Sequence, residues 1–425
     1  DSIKSTAKTL AAGIVAAYNE SLAENLIPGL FSEPYYWWEA GAVWNGLIGY
    51  SFLTGDSQYN ALVSEALQWQ LGDLDAFMPP NQTKTLGNED QSVWGLAAMT
   101  AAEVGFPKPK DAEWATYAAN VFNTQAQRFA AEESANGTCG GGLRWQIFAF
   151  NNGFDFKDAS SNGNFFLLAA RLAQFTKNET YSQWAEKSFN WAQNVGLVTD
   201  DYSVFQGADA LKNCSDVNRL QFTNSFGVYT EGAAVMYNLT KGADKWKSAV
   251  QGFVDASFVF HGNSSDVLIE VACESNGNCD TDMRAFKGIA SRSFARSAVA
   301  APFVSDAINK FLEPSAKGAA NACSGSGADV ACKLSWADPE SSWESASAKD
   351  GNLGEVFGAL EVVQGLLYKN SQPLATGNAT GNSTQTGPST SRPAGPESTG
   401  AAGTVSASLT AVLVVALAAV LGHQF

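Results

Sequence analysis

Histidine is almost missing from this chain: among 425 residues only His261 and His423 carry an imidazole. A serine or cysteine nucleophile activated by histidine would need His261 and a distant, unmarked partner, and a histidine-rich zinc site is excluded. Basic residues are scarce as well, 26 Lys and Arg against 42 Asp and Glu, for a formal charge of −16. Nucleic acid is therefore excluded as a partner, because neutralising phosphates takes clustered Lys and Arg. Period-two alternation, the mark of half-buried strands, is rare. The glycine run Gly140–Gly142 lacks the Lys-Ser/Thr of a phosphate loop and follows no strand, so it reads as a turn. No metal or organic cofactor is required, and any chemistry falls to carboxylates.

Apolar and aromatic residues are plentiful. The chain is 45% hydrophobic, enough for a large core, and 12% aromatic with twelve Trp, which suggests flat, amphipathic surfaces, while the acidic balance suits a neutral or cationic partner. From Ser2 to Tyr368 helical runs alternate with loops, and twelve helices are expected near 2–26, 38–54, 58–72, 89–104, 111–132, 162–176, 180–195, 223–240, 243–260, 281–299, 303–313 and 353–369. The odd-numbered helices carry polar faces; the even-numbered ones are small and apolar nearly all round, as in Trp94–Ala102 and Gly227–Met236. A helix apolar on every side is buried and one with a polar face lies outside. This alternation predicts an all-α fold, an (α/α)6 barrel with six helices inside six. The loops entering the even helices are long and hold Trp, Tyr, Asn and Asp, so one face becomes a concave mouth.

Within that mouth the run Thr85–Trp94 stands out. Asn88 reads as an N-cap with Gln91 three residues on, and Glu89 and Asp90 fall together in a first helical turn. Helix starts favour acids in any protein. Two carboxyls about 5–5.5 Å apart are also what a retaining glycosidase uses, and helical neighbours diverge by about 100°, which allows that spacing. Burial and the adjacent charge favour protonation of one acid, so the pair is expected to titrate as a unit.

Nine Asn-x-Ser/Thr sites (Asn19, Asn81, Asn136, Asn178, Asn213, Asn238, Asn263, Asn378 and Asn382) and a first residue that is Asp rather than Met point to secretion with a leader removed. The six Cys then read as three disulfides. Short loops favour Cys273–Cys279 and Cys323–Cys332, leaving Cys139 for Cys214. After a domain at 1–370, residues 371–404 are a Ser/Thr/Gly/Pro-rich stalk, and 405–425 form an uncharged apolar tail. Small residues, a short spacer and such a tail match a GPI-attachment signal, with Gly395, Ser398 or Gly400 as the attachment residue. A GPI anchor would tie the protein to the outer face of the plasma membrane and to the cell wall.

The chain resembles the fungal GPI-anchored members of glycoside hydrolase family 76, mannan endo-1,6-α-mannosidases. The resemblance rests on Pro34-Tyr-Tyr-Trp-Trp-Glu-Ala-Gly41, Leu86-Gly-Asn-Glu-Asp-Gln91, Gly140-Gly-Gly-Leu-Arg-Trp-Gln146, Ser161-Asn-Gly-Asn-Phe-Phe166, Gly232-Ala-Ala-Val-Met-Tyr-Asn238 and Cys279-Asp-Thr-Asp282, in order over about residues 1–370. It implies an (α/α)6 barrel and two adjacent catalytic acids, Glu89 as nucleophile and Asp90 as general acid/base. The family carries Asp at both places; Glu89 is one methylene longer. From the mouth, Trp37, Trp38 and Trp145 would offer ring faces to sugars. Asn88, Gln91, Asn162, Asn164, Asn224, Asp280 and Asp282 would bond hydroxyls, and Arg144 would join them or pair with a loop carboxylate. Asp280-x-Asp282 is too weak a pattern to assign calcium. The expected activity is cleavage or transfer of α-1,6-mannan or GPI-core glycan mannosides, with β-glucan as a candidate acceptor. The alternative is a non-catalytic mannan-binding cell-wall protein.

Overall fold

The computed structural model describes residues 2–262, 265–338 and 352–379. Among them are twelve α-helices: α1 Ser2–Asn25, α2 Trp37–Thr54, α3 Asn60–Trp69, α4 Asn88–Glu103, α5 Trp114–Glu133, α6 Ala159–Thr176, α7 Glu179–Asn194, α8 Thr223–Leu239, α9 Asp244–Ala256, α10 Thr281–Ala300, α11 Ser305–Asn321 and α12 Leu353–Gly365. The even helices pack in sequence, α2 on α4, α4 on α6, and so on to α12, which closes back on α2. Each odd helix lies outside this ring, α3 on α2, α5 on α4, α7 on α6, α9 on α8, α11 on α10 and α1 on α12. The expected (α/α)6 barrel is the observed fold.

The inner helices approach closely because small residues meet at their crossings. A β-carbon on Gly288 of α10 would fall 2.9 Å from the Gly358 Cα of α12, and one on Gly227 of α8 would fall 2.7 Å from the Ala290 Cα. Aromatics fill the space between the rings, as where Phe166 and Phe189 pack with Tyr229 and Trp246. Buried ion pairs bridge the inner helices. Glu103 takes Arg171 at 2.7 Å and Arg296 at 2.6 Å, Arg296 reaches Glu231 at 2.6 Å, and Arg292 takes Glu361 at 2.7 Å. One end of the ring is thereby tied across α4, α6, α8, α10 and α12.

Several helix ends differ from the sequence reading; α9, for one, stops at Ala256 and gives way to a separate 3-10 turn at Ser257–Phe260. Helix α11 runs on through Pro314 to Asn321, since Ile308, Phe311, Leu312, Ala316 and Ala319 keep one buried face that outweighs the lost hydrogen bond. Helix α12 stops at Gly365, with a separate 3-10 turn at Tyr368–Asn370. Residues 371–379, expected to begin the stalk, return to the barrel: Ala375 N–H donates to the Glu103 carbonyl at 2.6 Å and Gly377 N–H to that of Phe175 at 3.1 Å. The rest of the expected stalk, the apolar tail, Asn263 and Asn382 lie outside the described residues. Asn19, Asn81, Asn136, Asn178, Asn213, Asn238 and Asn378 are exposed. Among the described residues no helix is long and apolar enough to cross a membrane.

The loops at the helix N-termini are stapled. Three antiparallel strands, β1 Phe156–Asp158, β2 Gly207–Asp209 and β3 Val217–Asn218, form a small sheet in that order. Cys139–Cys214 ties this region across 75 residues, Cys273–Cys279 closes a tight loop, and Cys323–Cys332 joins β4 Cys323–Ser324 to β5 Ala331–Cys332. Buried Lys157 donates to the Thr138 carbonyl at 2.6 Å and pairs with Glu132 at 3.0 Å, while buried Lys287 donates to the Leu334 carbonyl at 2.7 Å and pairs with Glu274.

Candidate active site

The N-termini of five inner helices, α2, α4, α6, α8 and α10, open onto a cleft of about 750 Å³. Its floor has a simple rule. The second residue of each inner helix is Trp38, Glu89, Ser160, Asn224, Asp282 and Gly354 in turn, and the first five of these line the cleft. Helix starts concentrate positive partial charge, which accommodates the acids gathered here. Tyr36, Trp145, Phe156, Phe222 and Phe286 form walls, and Gln82, Lys84, Gln146, Asn151, Asn152 and Gln206 supply polar edges.

Glu89 and Asp90 sit at the centre. Asp90 is held by its own helix start: Gly87 N–H donates to Oδ2 at 2.7 Å. Gly87, not Asn88, is therefore the cap, and the reciprocal acid is Asp90 rather than Gln91. Burial, helped by Asp282 and Asp158, pushes Asp90 up to about 7 against the pull of that N–H. Glu89 is raised well above the usual range by burial first and then by Asp158, Asp90 and Asp282, with a Ser160 hydrogen bond opposing. Burial also lifts Asp158 and Asp282 to about 6 each. Crowded carboxyls in a poorly solvated floor cannot all ionise together, so the site carries a proton in mildly acidic to neutral solution. Glu89 also borders a small pocket of about 20 Å³ beneath the floor, shared with Asn45, Asn164, Arg171, Asn224, Glu231 and Arg292.

Of the residues expected at the mouth, Trp38, Trp145, Asn224, Asp280 and Asp282 line it with the two acids. Trp38 donates its indole N–H to Asp282 Oδ1 at 2.7 Å, and Asp280 caps α10 by accepting from Met283 N–H at 3.1 Å. Trp145 lies over Gly153, whose φ of +88° and missing side chain make room for the ring. Trp37 reaches the wall but is mainly core, stacked 5.0 Å from Trp94 and bonded to Gln70. Asn164 reaches only the small pocket below.

Four expectations move away from the cavity. Asn88 points backward, donating to the Arg144 carbonyl at 2.9 Å. Gln91 is buried and donates to the Ala76 carbonyl at 2.8 Å. Asn162 brackets the Leu143 peptide, accepting from its N–H at 2.8 Å and donating to its carbonyl at 2.9 Å. Arg144 pairs with Glu132 at 2.7 Å and covers Phe154 at 4.4 Å. Each is an amide or guanidinium whose partner is a loop carbonyl, a neighbouring side chain or a carboxylate, so it fixes the mouth without entering it. Asp158 and Ser160 were not singled out from sequence. Asp158 caps α6, accepting from Ser161 N–H at 2.7 Å, and the Asp-x-x-Ser start Asp158–Ser161 was the available signal.

With this geometry in place, the comparisons with known proteins converge. Residues 2–378 match the sequence profile of glycosyl hydrolase family 76. The chain is 40% identical over 387 residues to mannan endo-1,6-alpha-mannosidase DCW1 of Candida albicans, covering 90% of this chain and 83% of that protein. It superimposes on the crystal structure of Dfg5 from Chaetomium thermophilum in complex with glucosamine with a TM-score of 0.80 and 37% identity, covering 89% of this chain and 93% of that one. It shares its fold with an α-1,6-mannanase of Salegentibacter, solved as an inactive variant with two adjacent Asp replaced by Ala, in complex with α-1,6-mannotetrose; there the TM-score is 0.66 at 18% identity, covering 86% and 99% of the two chains. On a profile match that runs through all twelve helices, this chain belongs to glycosyl hydrolase family 76.

Proposed function

We propose that this glycoside hydrolase cleaves α-1,6-linked mannosides by retaining double displacement, with Glu89 as nucleophile and Asp90 as general acid/base. The observation that carries the reading is the placement of two adjacent acids on the floor of an aromatic-walled cleft, where burial and like charge keep a proton on the pair. Glu89, unlike Asp90, borders both the cleft and the pocket below, as fits attack on an anomeric carbon from beneath. Asp90 opens only to the cleft, as fits proton delivery to the leaving oxygen. The shared proton rests on Asp90 when a sugar covers Glu89. After the glycosyl-enzyme ester forms, Asp90, now ionised, takes a proton from the incoming water or sugar hydroxyl.

Trp38 and Trp145 provide platforms, and Asn224 and Asp282 meet sugar hydroxyls. The names of the relatives support α-1,6-mannan as the substrate class; the mannosides of a GPI-core glycan, met outside the cell, are the other candidate. Sequence composition beyond residue 379 supports anchorage by GPI at the membrane and wall, with β-glucan as a candidate acceptor. The deciding experiment incubates the purified protein with α-1,6-mannotetraose, with and without a β-glucan oligosaccharide, and weighs the products. Shorter chains mean hydrolysis and mixed chains mean transfer. Saturable binding with no product from any α-1,6-mannoside overturns the catalytic reading in favour of a mannan-binding wall protein.

A further inference from the structure

Nearly every buried cation in the barrel has a carboxylate partner: Arg144 and Lys157 share Glu132, Arg171 and Arg296 share Glu103, Lys287 has Glu274 and Arg292 has Glu361. Arg128 of α5 is different. Burial pulls its guanidinium down to about 9, and no opposing acid offsets that cost. Its bonds among the described residues go to neutral groups. Nε donates to Asn88 Oδ1 at 2.8 Å, and Nη2 donates to Gln91 Oε1 and, at 3.4 Å, to Thr124 Oγ1. Asn88 and Gln91 are the residues immediately before and after Glu89-Asp90.

A half-buried guanidinium whose partners are all neutral is costly to desolvate for structure alone. Its fixed fork reaches two points one helical turn apart, a geometry lysine cannot reproduce. The turn it grips needs holding. Glu89 and Asp90 repel each other and face Asp158 and Asp282 across the floor, and a first helical turn is where backbone order is weakest. Other bonds serve the same end: Asn88 N–H donates to the Trp145 carbonyl at 2.7 Å, and Gln125 Nε2 donates to the Asn88 carbonyl at 2.9 Å.

We propose that Arg128 is the positioning residue of the acid pair, a guanidinium clamp on Asn88 and Gln91 that fixes the first turn of α4 so that both carboxyls meet one glycosidic bond. The inference rests on the double-displacement reading. It assigns to α5, an outer helix with no face in the cleft, control over the turnover step rather than over binding.

The test compares Arg128→Met, Arg128→Lys and Arg128→Ala on α-1,6-mannotetraose. The expected result for Arg128→Met is a kcat lower by about 100-fold, the cost of roughly an ångström of misplacement, with the tetrasaccharide Kd within about threefold of wild type. Arg128→Lys should recover part of the loss, and millimolar guanidinium should raise the kcat of Arg128→Ala. A folded Arg128→Met with wild-type kcat, or one that loses affinity in place of kcat, overturns the clamp. If Arg128→Met does not fold, a wild-type kcat in Arg128→Lys does the same. If the wild type turns over no α-1,6-mannoside, the functional reading fails first. Amide exchange across residues 85–94 then decides the clamp, and no acceleration in the variants rejects it.

Discussion

Replacing Asp90 by Asn should make the protein inactive and, at neutral pH, more stable. The carboxyl moves from about 4 in an unfolded chain to about 7 in the barrel. The folded state therefore holds a proton that the unfolded chain has released between about pH 4 and 7, and stability falls as pH rises through that window. Three units at about 1.4 kcal/mol each give an upper bound of about 4 kcal/mol at pH 7 and above. The carboxyl opens partly to the cleft, so solvent relieves some of this, and about 2 kcal/mol is the expected net cost. Asn keeps an oxygen for Gly87 N–H but never ionises. Denaturant titration of the wild type and Asp90→Asn at pH 7.5 and at pH 4 should show the variant ahead by about 2 kcal/mol at the higher pH and level at the lower. Turnover should fall by about 10²–10⁴-fold. A variant less stable at pH 7.5, an equal gain at both pH values, or wild-type turnover would refute the view of Asp90 as a strained, proton-holding acid.

Three further outcomes follow from the architecture. Trp145→Ala should raise KM about tenfold in steady-state kinetics with little change in kcat, since an aromatic face is worth about 1–1.5 kcal/mol and serves binding. Replacing Cys139 and Cys214 together by Ser opens a loop spanning 75 residues and should cost about 4 kcal/mol in denaturant titration. Arg296→Met leaves Glu231 and Glu103 short of a shared partner inside the barrel and should cost about 3–5 kcal/mol by the same measurement.

Most of the barrel is legible along the chain because the signal is local. An inner helix such as α8 is small and apolar nearly all round and α9 is not, and that contrast is visible in a dozen consecutive residues. The acid pair is legible for the same reason. What escapes is any role set by a partner far off in sequence. Asn88 and Gln91 looked like sugar ligands beside the acids, yet Asn88 turns to Arg144 and Arg128, and Gln91 to Ala76 and Arg128. Arg128 itself sits in an ordinary polar stretch of an outer helix. The cap fell one residue early because Gly87 supplies the free N–H while Asp90 supplies the oxygen, a division of labour that resembles Asn88-to-Gln91 on paper.

The arrangement of the cleft floor also bears on how such proteins diverge. Its five side chains hang from five separate helix beginnings, so they can be exchanged one at a time, although Trp38 and Asp282 are bonded to each other across α2 and α10. Glu89 in place of the Asp implied by the resemblance is such an exchange: the added methylene falls where the side chain borders both the cleft and the small pocket below. A lineage can thus rewrite substrate choice residue by residue at these few places, with the Trp38–Asp282 pair a floor contact that also ties two helices together.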